Sequence, residues 1–120
     1  MPQIVVSYSA DLEAHLDRAG FARKLHESAS PMINAKLQDF KTRFLPIGEY
    51  VIGTGEESDR LLHVDFGLLD GRTEEIRERV GELVLELLRE SLAEDAPPPV
   101  HITVEVREMH RGSFRKHITG

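Results

Sequence analysis

The order strand, helix, strand occurs twice along this chain, and that repetition limits the possible folds more than any other feature. The second copy is the clearer one. Apolar and polar residues alternate, as they do in half-buried strands, in LLHVDFGLL at 61–69 and in HITVEVREM at 101–109. Between them runs a helical apolar stripe made of Ile76, Val80, Leu83, Val84, Leu87 and Leu88. Thr73 is placed to cap this helix, and the prolines at 97–99 end it.

The first copy begins with IVVSY at 4–8, a run of β-branched residues that predicts a buried strand. Either Ser9 or Asp11 can then cap a helix. The apolar residues that predict this helix are Leu12, Leu16, Ala19, Phe21, Ala22 and Leu25. Gly20 weakens the helix by about 1 kcal/mol, and Pro31 is expected to mark its exit.

Two further strands are expected before the second copy starts. KLQDFKTRFLPI at 36–47 suggests a strand that ends near Pro46. GEYVIGTG at 48–55 looks like a short strand that ends in a glycine-rich turn. The first unit therefore covers about 3–47, the second about 61–109, and a polar tail covers 110–120.

These units predict an α+β fold in a single domain over residues 1–120. Two right-handed βαβ units would build one four-stranded mixed sheet with both helices on one face. The other face of that sheet would lie bare. Because a bare apolar face usually marks a contact with a partner, we expect an oligomer.

Composition excludes several classes of function. The net charge of -6 without a basic tract argues against nucleic acid or an anionic membrane as partner. No apolar run approaches the ~20 residues of a membrane helix, and no secretory signal is visible, so we expect a cytoplasmic protein. The chain has no Cys, and its six His residues show no zinc-binding spacing, so no metal site is predicted.

Several short motifs recur together in a known order and spacing. They are a Met-Pro start, the double βαβ layout, KTR at 41–43 on the second strand, and GRT at 71–73 before the second helix. On these residues, the chain resembles the 5-carboxymethyl-2-hydroxymuconate isomerase family of the tautomerase superfamily. The resemblance runs from residue 2 to about residue 114.

The resemblance implies a homotrimer and an enzyme without a cofactor. Such an enzyme moves a proton between atoms of a small enol or dienol carboxylate. Its catalytic base would be the nitrogen of Pro2, exposed once Met1 is removed. The ordinary pKa of an α-amino group, about 7.7–8.0, lies close to neutral pH, where a general base works best. If Met1 is retained, the Pro2 nitrogen is an amide and has no basic lone pair.

The resemblance also implies substrate-binding residues. Arg72 would bind a carboxylate at the start of the second helix, where free backbone N–H groups favour anions. Lys41 stands where the family has a substrate-binding arginine, and it offers a point charge instead of a two-pronged guanidinium. Arg43 matches an arginine of the family motif. Phe114 would form an apolar wall over a neighbouring site.

Other interpretations of these residues stay open. Lys41 and Arg43 could be solvated residues on a strand edge, Arg72 a surface loop residue, and Phe114 a residue that packs at the edge of a trimer. A hydratase or dehalogenase could use the same fold and the same proline. A trimeric binding protein without catalytic activity is a further alternative, and retention of Met1 would favour it.

Overall fold

The computed structural model describes residues 1–55 and 58–120. Four strands and two helices make up the described part of the chain. In chain order they are β1 (Gln3–Ser9), α1 (Arg18–Ile33), β2 (Lys41–Ile47), β3 (Arg60–Leu69), α2 (Glu74–Ser91) and β4 (Val100–Met109). Short 3-10 turns occupy Ala10–His15, Leu37–Asp39 and Arg111–Ser113.

The strands form one mixed sheet in the order β2-β1-β3-β4. β1 runs parallel to β2 and antiparallel to β3, while β3 and β4 are parallel. The predicted four-stranded mixed sheet is therefore confirmed. The pairing has a consequence for function, because it places the beginning of β1 and β2 at the same end of the sheet as the end of β3 and β4.

One face of the sheet carries the core, as the alternation of the strands predicted. Ile4 and Val6 of β1 and Val64 and Phe66 of β3 are completely buried. The two helices cover this face, and they contribute Phe21, Leu25, Ala29, Val80, Val84 and Leu88 to the same cluster. The apolar stripe predicted for α2 is thus confirmed as its buried side.

The other face of the sheet is bare and mostly polar, with Leu45 of β2 as an exposed apolar residue, so the expectation of a bare apolar face was wrong. Arg43 Nη2 donates to Gln3 Oε1 at 2.6 Å, and Arg107 Nε donates to Asp65 Oδ1 at 3.2 Å. The outward positions of β3 and β4 are mostly charged or hydrogen-bonding residues, which water can solvate. Apolar area on this face is therefore a weak argument for an oligomer.

The start of α1 differs from the prediction. Residues Ala10–His15 form a 3-10 turn, and α1 begins at Arg18 with Asp17 as its cap, in place of Ser9 or Asp11. The Gly20 amide donates to Asp17 Oδ1 at 3.1 Å. The backbone amide of Asp17 in turn donates to the Ser91 carbonyl at 2.9 Å, so a contact with the end of α2 fixes where α1 begins.

The end of α1 also differs from the prediction. Pro31 lies inside the helix, which continues to Ile33 and ends at Asn34 with a left-handed φ of 52°. The proline removes one helical hydrogen bond, and the left-handed Asn34, whose amide donates to the Ser30 carbonyl, closes the helix soon after it.

The segment before and after β2 is less regular than predicted. Leu37–Asp39 is a 3-10 turn and β2 starts only at Lys41. Residues 48–55 form no strand. Gly53 and Gly55 have φ values of +57° and +99°, a backbone that turns instead of extending.

Thr73 caps α2 as predicted, because its Oγ1 accepts a hydrogen bond from the Ile76 amide at 3.2 Å. We expect Thr73→Ala to lower the free energy of unfolding by about 1 kcal/mol, the usual value of such a cap. Urea unfolding followed by circular dichroism measures this change. Thr73→Ser keeps the oxygen and should stay close to wild type; equal losses in both variants would contradict the capping role.

Candidate active site

The sheet topology gathers the amino terminus with several charged residues at one end of the sheet. The Lys41 amide donates to the Pro2 carbonyl at 3.2 Å, which sets the start of β2 beside the start of β1. The Asp70 amide donates to the Met109 carbonyl at 2.9 Å, which sets the segment after β3 beside the end of β4. Residues that are far apart in the sequence therefore meet around Pro2.

Pro2 is buried and Met1 is half-buried. Burial lowers the pKa of the terminal amino group, which in this chain belongs to Met1. Asp39 opposes this effect, whereas the cations Arg72, Arg111 and Lys116 lower the pKa further, in that order. The terminal amine thus lies in a partly desolvated and mainly cationic environment.

Arg72 is held rigidly at this end of the sheet. Its Nε and Nη2 donate to the Ile33 carbonyl at 3.2 and 2.8 Å, and its Nη1 donates to the Leu69 carbonyl at 3.1 Å. A guanidinium has five N–H groups, so about two stay free for another acceptor. Burial, and then the charge of Arg111, lower the pKa of Arg72 below its usual value. The Arg72 guanidinium is therefore oriented by backbone carbonyls, and only part of its hydrogen-bonding capacity is available to a ligand.

A cavity of about 450 Å³ opens beside Arg72. Arg72 and Arg111 supply its positive charge, and Met32, Ile33 and Ile76 line its apolar side. Arg111 is itself steadied, because its Nη2 donates to the Asp70 carbonyl at 2.8 Å. A small anion with an apolar body matches this combination of charge and apolar surface.

Lys41 and Arg43 lie outside this cavity. Thr42, between them, faces α1 and lies 2.7 Å from His26 Nε2, so its two neighbours point to the bare face of the sheet. Lys41 is exposed, with Nζ 3.5 Å from the Asp39 carbonyl. Lys41 lies at the same end of the sheet as Pro2, and Arg43 lies farther along the bare face.

Phe114 follows the turn Arg111–Ser113, and its amide donates to the Arg111 carbonyl at 3.3 Å. Its side chain is half-buried and is not part of the cavity lining. The structure thus places Arg72 close enough to the amino terminus to act on the Met1 amine, with Lys41 at the same end of the sheet. Pro2, Lys41, Arg43 and Phe114 are not among the residues that line the cavity.

Sequence reasoning missed three charged residues around the amino terminus. Lys116 Nζ lies 3.0 Å from Asp39 Oδ1 and 3.7 Å from Met1 Sδ. Arg111 lines the cavity. For Arg111 and Lys116, the available signal was the cluster of basic residues in HRGSFRKH at 110–117, which the prediction of a polar tail leaves without a role.

The described residues contain no group of three or more His, Cys, Asp or Glu side chains arranged to hold a metal ion. In residues 1–55 and 58–120, no helix combines the length and apolar character needed to span a bilayer.

Known structures share this fold over nearly the whole chain. A 5-carboxymethyl-2-hydroxymuconate isomerase from Deinococcus radiodurans R1 superposes with a TM-score of 0.82 at 22% identity, covering 98% of this chain and 90% of the other. A 5-carboxymethyl-2-hydroxymuconate delta-isomerase superposes with a TM-score of 0.72 at 24% identity, covering 98% of this chain and 88% of the other. The Q0 fused 4-OT wild type, a symmetric trimer, superposes with a TM-score of 0.71 at 17% identity, covering 93% of this chain and 89% of the other.

No curated protein matches the chain significantly. The sequence profile of one family does match, and it extends over residues 2–118. Since this match covers nearly the entire chain, the chain belongs to the 5-carboxymethyl-2-hydroxymuconate isomerase family.

Proposed function

We propose that the protein is a tautomerase that moves a proton within a small enol or dienol carboxylate. Membership in an isomerase family supports this class of reaction. The observation that carries the proposal is the amino terminus: Pro2 is buried, and the two arginines of the cavity, Arg72 and Arg111, are close enough to lower the pKa of the terminal amine. The base is the Pro2 nitrogen, which becomes a secondary amine when Met1 is removed.

The reaction needs one group that both accepts and returns a proton. The Pro2 amine takes the proton from the enol hydroxyl, the carbonyl forms, and the electron pair moves along the conjugated system to carbon. The protonated amine then gives its proton to that carbon, so the base is regenerated and no cofactor is consumed. Burial and the nearby cations lower the pKa of the Met1 amine, and the same surroundings would favour the free-base form of a Pro2 amine at neutral pH.

In this proposal, Arg72 binds the substrate. Its orientation is fixed before the substrate arrives, so its free N–H groups can hold a carboxylate or the developing enolate oxygen without reorganisation. Lys41 supplies a second positive charge at the same end of the sheet. Arg43 and Phe114 lie outside the cavity, so they would contact substrate only if the site is shared between copies of the chain.

We further propose that the chain assembles as a homotrimer. A similar structure, the Q0 fused 4-OT wild type, is a symmetric trimer. The bare sheet face and the residues Arg43 and Phe114 would then have neighbours in an adjacent copy. Sedimentation analysis measures this assembly directly.

Ketonisation of a 2-hydroxymuconate-type dienol, followed by ultraviolet absorbance, tests the proposed activity. Wild type with Met1 removal confirmed by intact mass is compared with Pro2→Ala. We expect a wild-type rate well above the buffer rate and a collapse of that rate in the variant. A wild-type rate equal to buffer would exclude this dienol as substrate, and equal rates in both proteins would exclude Pro2 as the base.

A further inference from the structure

Asp39 and Lys116 form an ion pair directly beside the amino terminus. Lys116 Nζ lies 3.0 Å from Asp39 Oδ1, and the two side chains are 36% and 20% exposed, respectively. The same ammonium group lies 3.7 Å from Met1 Sδ. The ion pair therefore links the segment before β2 to the tail of the chain, and its ammonium group lies next to the Met1 side chain.

The fold fixes Asp39 in this position. The neighbouring Phe40 is buried in the core, and the Asp39 amide donates to the Lys36 carbonyl at 2.9 Å. The hydrogen bond from Lys116 holds the pKa of Asp39 below its usual value, and burial works against it. The charges of Lys116, the terminal amine and Lys41 lower the pKa further, so Asp39 is an anion at neutral pH.

Within residues 1–55 and 58–120, the cations that act on the terminal amine are Arg72, Arg111 and Lys116. Arg72 precedes α2, Arg111 follows β4, and Lys41 begins β2. Asp70 is partly neutralised, because its Oδ1 lies 3.6 Å from Arg111 Nε. Among the described residues, Asp39 is the carboxylate that raises the pKa of the terminal amine, although it is itself paired with Lys116.

We propose that Asp39 and Lys116 are a positioning pair for the amino-terminal base. Asp39 draws Lys116, and with it the tail of the chain, across the terminal amine. Its negative charge also offsets the surrounding cations, while Lys116 adds to them. The balance between these two opposite charges sets the proton affinity of the amine, which the fold would otherwise leave to burial and two arginines, Arg72 and Arg111.

This inference rests on the proposed function in one respect, namely that the base is the Pro2 nitrogen. The test of this inference uses no substrate. The inference can therefore fail while the tautomerase proposal stands, and the tautomerase proposal can fail while the inference stands. The protein is prepared with isotopically labelled proline, and intact mass confirms that Met1 is absent. The chemical shifts of Pro2 are then followed by NMR as the pH changes, which gives the midpoint of the amine titration.

Asp39→Asn keeps the shape of the side chain and removes its charge, so we expect the Pro2 midpoint to move to lower pH. Lys116→Gln removes a cation and frees Asp39 to act on the amine, so we expect the midpoint to move to higher pH. Lys116→Arg keeps the charge and should leave the midpoint where it is in wild type. Because the two charge-removing variants shift the midpoint in opposite directions, general loosening of the structure cannot produce both results.

Asp95→Asn is the matched control, since it removes a carboxylate that lies 3.0 Å from His15 Nδ1 at the opposite end of β1. Both expected shifts must exceed the difference between this control and wild type. Shifts of the same sign in Asp39→Asn and Lys116→Gln, or no shift in either, would overturn the proposal. A shift in Lys116→Arg as large as that in Lys116→Gln would overturn it as well.

Discussion

Protein that retains Met1 is expected to catalyse ketonisation about 10²–10⁴-fold more slowly than processed protein, the usual contribution of a positioned general base. The reason is chemical, because Pro2 then carries an amide nitrogen, which has no basic lone pair. The Met1 amine is a weak substitute, since it is displaced by one residue from the buried Pro2. Expression with an inhibitor of methionine aminopeptidase yields the unprocessed chain without any change in sequence.

The fraction of chains that retain Met1 is read by intact mass, and activity is plotted against it. We expect activity to fall in proportion to the retained fraction. Circular dichroism and urea unfolding of the two preparations should coincide, which excludes misfolding as the cause. Full activity in a preparation made up entirely of Met1-retaining chains would show that the Pro2 amine is not the base.

Arg72→Ala is expected to lower the free energy of unfolding by about 2–4 kcal/mol. Two partly buried carbonyls, those of Ile33 and Leu69, lose their donors in this variant, and each unsatisfied group costs about 1–3 kcal/mol. Urea unfolding measures the loss. Arg72→Lys should give an intermediate value, because an ammonium group cannot span two carbonyls as a planar guanidinium does.

Arg115→Ala is the matched control for this prediction. Arg115 Nη1 also donates to backbone carbonyls, those of Gly112 and Phe114, both at 2.9 Å. These bonds are exposed, so water can replace them and the loss should stay within about 0.5 kcal/mol. Similar losses in both variants would contradict the view that Arg72 holds the fold together at this end of the sheet.

The sequence predicted the regular parts of the fold because local periodicity determines them. Val64 and Phe66 alternate with polar residues, and Thr73 precedes a clear apolar stripe, so β3 and α2 followed directly. The start of α1 could not be predicted in this way. Asp11 and Asp17 are both competent caps, and the choice depends on the backbone bond from Asp17 to Ser91, which joins residues far apart in the sequence.

The same distinction holds for the candidate site. Pro2 and Arg72 were identified because the family resemblance marks them, and their roles stay predictions. Asp39 and Lys116 are 77 positions apart, and no local pattern links them. Only the sheet order, which brings the starts of β1 and β2 to the ends of β3 and β4, places them together.

The central position of β1 has a consequence for the maturation of the protein. β1 is the first strand to be synthesised, yet it pairs with β3 on one side, so its place in the sheet stays open until residues 60–69 have been made. During that interval, the first residues have no β3 partner, so we expect an aminopeptidase to reach them. Afterwards Pro2 is buried, and a methionine that escaped removal is held beneath the tail. The proportion of competent molecules in a cell would then be decided during translation, by a race between processing and folding.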